Sequence, residues 1–116
     1  MKTLFILNDP PYGSERSYNA LRLAGALAKR GGDQLKLFLM GDAAACAKKG
    51  QSVAQGYYNV NRMLQALTQR QVPVSVCGTC MDARGIAVEE LLEGSSRGTL
   101  DELAEWTTWA EKVVVF

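Results

Sequence analysis

The sequence predicts a three-layer α/β/α sandwich around a mainly parallel sheet of four to five strands. Three observations carry that reading. Short apolar runs alternate with amphipathic stretches along the chain. The runs are continuous in apolar residues, as strands buried on both faces are. Most are closed by a Gly-, Pro- or Asp-containing breaker before the next helical pattern begins. Strands alternating with helices, joined by right-handed crossovers, give one sheet between helical layers.

Thr3 to Leu7 opens the chain as a strand, ended by Asn8-Asp9-Pro10-Pro11-Tyr12-Gly13. Ser14 is placed to cap the next helix. That helix repeats apolar residues as Tyr18, Leu21, Ala24, Ala28 and as Ala20, Leu23, Leu27, and stops at Gly31-Gly32. Leu35 to Met40 is the second strand, with Leu35, Leu37 and Leu39 on one face and Phe38 on the other. Gly41-Asp42 turns the chain into a short Ala-rich helix ending at Lys48-Lys49-Gly50, and Gln51 to Gly56 is a loop.

Tyr57 to Arg70 reads as a helix with Val60, Met63, Leu64 and Leu67 in one stripe. Val72 to Cys77 is the third strand. Ile86 to Leu92 is expected to be a helix closed by Gly94, and Gly94 to Gly98 a short additional strand. Thr99-Leu100-Asp101-Glu102 is a capping box, in which Thr99 and Glu102 satisfy each other's orphan amides. It opens a last helix carrying Leu100, Leu103, Ala104 and Trp106. Val113 to Phe116 is the final strand. No linker, repeat or low-complexity segment interrupts the chain, so residues 1–116 form one domain.

Composition narrows the function classes. The chain has 116 residues, a formal net charge of +1, 47% hydrophobic residues and 22% charged ones. Acids and bases are interspersed, with no basic block for nucleic acid and no polybasic run for a membrane surface. The apolar runs fall far below the roughly 18 residues that a spanning helix needs. The N-terminus lacks a secretory apolar region and a small-residue cleavage site. These features point to a cytoplasmic protein, where cysteines stay reduced. There is no histidine, which excludes Cys–His and Ser–His machinery within one subunit and leaves sulfur as the candidate for chemistry.

The thiols concentrate in Cys77-Gly78-Thr79-Cys80-Met81-Asp82-Ala83-Arg84-Gly85, directly after a strand. A thiol at a strand end facing the start of a helix meets backbone amides, and Arg84 adds a full charge nearby. Both favour the nucleophilic thiolate. Cys77 is therefore the candidate nucleophile. Cys80 has three readings: it resolves a mixed disulfide with Cys77, stores a second persulfide, or fills space. Gly78-Thr79 is neither the aromatic nor the proline that accompanies a thioredoxin-like motif. Zinc would need four ligands, and only Cys46 is left to supply a third thiol, so no metal and no cofactor is expected. Cys46, among alanines, reads as core. Asp82 is placed to cap a helix. The loop carrying Asn8, Tyr12, Gly13, Ser14 and Glu15 lacks the glycine patterns of a phosphate loop. With Gly78 and Thr79 it reads either as the wall of a sulfur pocket or as a stiff turn.

Four segments together resemble the DsrE/F-like family of sulfur-relay proteins, closest to its small YchN-like members. They are Asn8-Asp9-Pro10-Pro11-Tyr12-Gly13-Ser14-Glu15, Leu37-Phe38-Leu39-Met40-Gly41-Asp42-Ala43, Gly56-Tyr57-Tyr58-Asn59, and Cys77 to Ile86. The resemblance covers essentially the whole chain. It implies a thiol site in which Cys77 matches the cysteine ahead of the Arg84-Gly85 step, and Cys80 a position characteristic of the YchN-like branch. It implies an intracellular sulfur carrier or sulfurtransferase-like protein, with Cys77 holding a persulfide, Arg84 steadying the anion and Cys80 assisting. A thiol–disulfide redox protein or an oligomeric scaffold are the alternatives. It further implies sulfur-donor and sulfur-acceptor proteins as partners, and homo-oligomers, hexamers or trimers. Trp106, Trp109, Tyr57 and Tyr58 offer aromatic anchors for such an interface.

Overall fold

The apolar runs become five strands of one sheet in a computed structural model that describes every residue, Met1 to Phe116. They are β1 (Lys2–Leu7), β2 (Gln34–Leu39), β3 (Val74–Cys77), β4 (Ser95–Gly98) and β5 (Lys112–Val115). The spatial order is β4-β3-β2-β1-β5, and every neighbouring pair is parallel. The helices are α1 (Arg16–Arg30), α2 (Val60–Gln69), α3 (Gly78–Ala83) and α4 (Leu100–Trp109). No helix is long and apolar enough to cross a membrane.

Side-chain alternation along the strands divides the core. Phe5, Leu7, Leu35, Leu37, Leu39, Val74 and Val76 face α1, α2, α3 and the Ala-rich segment in the larger core. Each of these leucines contributes about 1.5–3 kcal/mol by leaving water. Leu4 and Phe38 point the other way and meet Leu103 of α4 in a smaller core. Trp106 packs edge-on against Phe38, with ring centroids 6.1 Å apart. Lys36 lies 5.1 Å from the Trp106 ring centre and 4.3 Å from that of Trp109. The α4 face is the thinner one: Leu100, Val113 and Val115 stay exposed on that side.

Several local expectations change. Ser14 does not cap α1, which begins from Glu15 without a side-chain cap. The Ser14 hydroxyl instead donates to Asp9 at 2.6 Å and accepts from the Arg16 amide at 3.3 Å. Leu23 is exposed; Ser17 takes its place among the buried positions of α1, donating to the Asp9 carbonyl at 2.7 Å. Helix α2 starts at Val60, because Asn59 caps it by accepting from the Arg62 amide. The Tyr12 hydroxyl, accepting from the Val60 amide at 3.0 Å, ties down the same end. The Ala-rich segment Gly41–Ala47 is a 3₁₀ helix.

Ile86 to Leu92 is not a helix. Only Val88–Glu90 makes a 3₁₀ turn. The backbone there is claimed by the segment beside it: the Lys49 amide donates to the Glu90 carbonyl, and the Leu92 amide to the Ala47 carbonyl. The capping box of α4 is half formed. Thr99 accepts from the Glu102 amide at 3.1 Å, but the Glu102 carboxylate reaches across to the Ser75 hydroxyl of β3.

Candidate functional site

Parallel strands put the loops after β1, β2 and β3 on one edge of the sheet. The connections out of β3 and β4 part there. After β3 the chain enters α3 on the larger-core face; after β4 it enters α4 on the opposite face. Adjacent strands whose connections diverge leave a crevice between them, where α/β sheets bind ligands. A crevice of about 470 Å³ lies at this point, bordered by Cys77, Gly78, Thr79, Cys80, Arg97 and Gly98. Phe38, Met40 and Leu100 give it apolar walls.

Cys77 ends β3 and is the N-cap residue of α3; Cys80 sits three residues on, inside that helix. Residues at these two positions meet across the first turn, as the side chains of a capping box do. Both thiols are free and partly accessible. Helix α3 has only six residues, so individual hydrogen bonds, rather than a long helix dipole, set the sulfur chemistry. Burial raises the Cys77 pKa. The Cys80 thiol, the Thr79 hydroxyl and the backbone amides of Cys80 and Thr79 outweigh it, holding Cys77 below the ordinary 9.0. Thr79 Oγ1 lies 3.4 Å from the Cys77 sulfur. Cys80 moves the other way: burial comes first, then the proton it shares with Cys77, and the Gly41 amide and Arg84 charge oppose them without reversing the direction.

A second element fixes Cys80. The Gly41 amide donates to the Cys80 sulfur at 3.2 Å. Gly41 has φ +56, a left-handed turn that strains any other L residue, and it stands against the Asn8 carbonyl. Loop one thus backs loop two, and loop two holds the thiol of loop three.

Arg84 lies on the Cys80 side. Its guanidinium donates to Asp42 at 2.8 and 3.0 Å and to the Cys80 carbonyl at 3.1 Å. The cation that borders the crevice together with Cys77 is Arg97 of β4. Arg97 grips Asp82 with two parallel bonds of 2.8 and 2.9 Å, so Asp82 is an ion-pair partner rather than a helix cap. Glycine at 78 is what lets Arg97 lie there, since a Cβ would stand 2.7 Å from the guanidinium carbon.

The structure therefore brings together Cys77, Gly78, Thr79 and Cys80, with Arg84 behind Cys80. It does not bring the Asn8–Glu15 loop to the crevice wall. Asn8 bonds the carbonyl of Phe116. Tyr12 stacks with Tyr58 at 5.6 Å and donates to Gln51 at 2.8 Å. Gly13 and Glu15 are exposed, and Ser14 turns to Asp9. Cys46 is buried beside the Asp9 carbonyl, and that burial pushes its thiol up to about 12. No group of three or more Cys, Asp or Glu side chains is arranged to hold a metal ion.

Sequence reasoning missed Arg97, and it placed Gly41 and Asp42 only in a turn, without their bonds to Cys80 and Arg84. Arg97 is found only once β3 and β4 are paired in register, with Val76 opposite Arg97 and Cys77 opposite Gly98.

The DsrE/DsrF-like family matches residues 1–116, the full length of the sequence. The chain belongs to this family. It is 47% identical to protein YchN of Escherichia coli (strain K12), over 99% of this chain and 98% of that one. The crystal structure of the E. coli ychN protein superposes with a TM-score of 0.94 at 46% identity, covering 99% of this chain and 98% of that one. The sulfurtransferase TusD of Salmonella typhi is 27% identical over the full length of both proteins. A protein of unknown function from Methanobacterium thermoautotrophicum, MTH1491, shares the fold alone, at TM-score 0.76 and 13% identity over 99% of this chain and 98% of that one.

Proposed function

We propose that this chain is a sulfur carrier that holds sulfane sulfur as a persulfide on Cys77, with Cys80 assisting. The observation that carries the reading is the Cys77 sulfur at the wall of an open crevice, with the Thr79 hydroxyl 3.4 Å away and the Cys80 thiol on the same helical turn. A thiolate so held attacks the outer sulfur of a donor persulfide. The Cys77–S bond forms, the donor's S–S bond breaks, and the donor leaves as a thiolate. The same groups then steady the Cys77 persulfide anion. Arg84 acts through Cys80 and Asp42 as a positioning residue, and the Asn8–Glu15 loop supports the site from behind through Gly41. Membership of the family, and likeness to a protein named a sulfurtransferase, support the reading.

The partners on this reading are a sulfur-donor and a sulfur-acceptor protein, met in the reducing cytoplasm. The exposed Leu100, Val113 and Val115 on the thinner face favour a homo-oligomer, a hexamer or trimer. Light scattering tests that part: a mass of 12.6 kDa would end it.

Intact-mass spectrometry after incubation with a sulfane-sulfur donor tests the carrier. A gain of one sulfur, lost in Cys77→Ser, is expected. Two thiols on one helical turn at the same crevice favour one second reading, a dithiol–disulfide redox protein. A clean loss of two hydrogens under a sulfur-free oxidant, with no uptake from the donor, would replace the first reading by the second.

A further inference from the structure

We propose that the Cys77–Cys80 pair also discharges its own cargo, releasing the sulfane sulfur as hydrosulfide and closing as an intramolecular disulfide. The inference rests on the carrier reading above and assigns the site a second outcome when no acceptor is docked.

The geometry of Cys80 carries it. A purely structural thiol would be fully buried, as Cys46 is. Cys80 instead borders the same crevice as Cys77, on the same helical turn. Its sulfur accepts from the Gly41 amide at 3.2 Å, a donor that comes from a different loop. That amide favours the attacking thiolate, while burial holds the Cys80 thiol above the ordinary 9.0, so the attack sets in as the pH is raised. Arg84, bonded to the Cys80 carbonyl, adds a cation on the same side. Positions three apart at the start of a helix satisfy the Cα separation of roughly 4.4–6.8 Å that a disulfide requires.

The step balances without an added oxidant. The Cys80 sulfur attacks Cys77 Sγ, the inner sulfur of the persulfide. The Cys77–Cys80 S–S bond forms and the bond to the outer sulfur breaks. The outer sulfur leaves with that electron pair and takes up the proton of the Cys80 thiol, as HS⁻. The two thiols together give up two electrons and the sulfane sulfur accepts them. Resetting the pair takes two electrons from a dithiol reductant, by ordinary thiol–disulfide exchange. The chain would then act as a sulfane-sulfur reductase as well as a carrier.

The test charges reduced protein with inorganic polysulfide at mildly acidic pH, desalts it without oxygen, and raises the pH. Sulfide is assayed as intact mass is followed. For wild type, sulfide close to one per chain is expected, with loss of the extra sulfur and of two hydrogens, at a rate independent of protein concentration. Cys80→Ser and Cys80→Ala are charged to completion, however slowly, and once charged should release the sulfur at least about tenfold more slowly than wild type, because the intramolecular thiolate is gone. Equal retention in wild type and both variants, or a rate proportional to protein concentration, would overturn the discharge and leave the carrier standing. No sulfur mass on any variant would overturn the carrier reading, and the discharge with it.

Discussion

The guanidinium of Arg97 lies over Gly78, with its central carbon 2.7 Å from where a side chain on Gly78 would begin. The residue after Cys77 is therefore glycine for a steric reason. A thioredoxin-like aromatic or proline in its place would meet the cation that stands beside Cys77.

Gly78→Ala is expected to move Arg97 and spare the fold, since the obstructing group is the far end of a flexible side chain. Asp82, held below the usual carboxylate range first by its hydrogen bond to Arg97, should then titrate closer to the ordinary value. Carboxyl NMR against pH reads this directly. An Asp82 that titrates as in wild type would mean that Arg97 had kept its place.

Gly98→Ala should behave differently. Its Cβ would arrive against the buried Ser75 hydroxyl, which has no room to retreat, and 2.5 Å from the Glu102 carboxylate. A loss of about 1–3 kcal/mol is expected, as for other overpacked sites. Urea unfolding measures it, and an unchanged midpoint would refute the close approach.

The pH dependence of alkylation has a defined sign. With its pKa held below 9.0, Cys77 should reach half-maximal reactivity at lower pH than a free thiol, and Cys80 at higher pH. Cys80→Ala removes a hydrogen-bond donor from the Cys77 sulfur and should move the Cys77 midpoint up. Cys80→Ser, which keeps a donor, should move it less. Rates of iodoacetamide labelling, resolved by peptide mass, would contradict this if the two variants behaved alike.

Arg84→Ala should raise the Cys80 midpoint further and leave Cys77 nearly where it was, because Arg84 faces Asp42 and the Cys80 backbone. The same labelling assay decides it. A larger change at Cys77 than at Cys80 would reverse the assignment of the two arginines.

Cys46 is expected to be silent in the native protein. Its thiol, pushed up to about 12 by burial, should label only through unfolding, slower than an exposed thiol by on the order of 10³ or more, the folded-to-unfolded ratio of ordinary domains. Labelling of Cys46 that precedes the urea transition would show a local opening at the Ala-rich segment.

What the sequence revealed follows from how local each signal is. The strand alternation of Leu35, Leu37 and Leu39 against Phe38 depends only on neighbours in the chain, and the structure shows it. The short strand before Gly98 is present as well. The Cys77–Cys80 spacing is equally local. Arg97 was hidden because its role depends on the register of β4 against β3. The Ile86–Leu92 helix failed for a related reason. Its amphipathic pattern is real, but Lys49 and Ala47 take up backbone groups that a helix would have used internally. Glu102 shows the same competition in a side chain. The capping pattern was visible, yet the carboxylate found a buried hydroxyl on a strand distant in sequence.

The placement of Trp106 gives the molecule an optical consequence. Both indoles of the chain, Trp106 and Trp109, lie on the α4 face with the Lys36 ammonium between them. Trp106 touches Phe38, and Phe38 forms part of the crevice wall beside Cys77. Ultraviolet emission from this protein thus originates one ring away from the crevice that Cys77 borders. A molecule entering the crevice, or an extra sulfur atom on Cys77, should shift the tryptophan spectrum without any attached dye. On the carrier reading, loading and unloading of Cys77 would be timed by stopped-flow fluorescence on the unmodified chain.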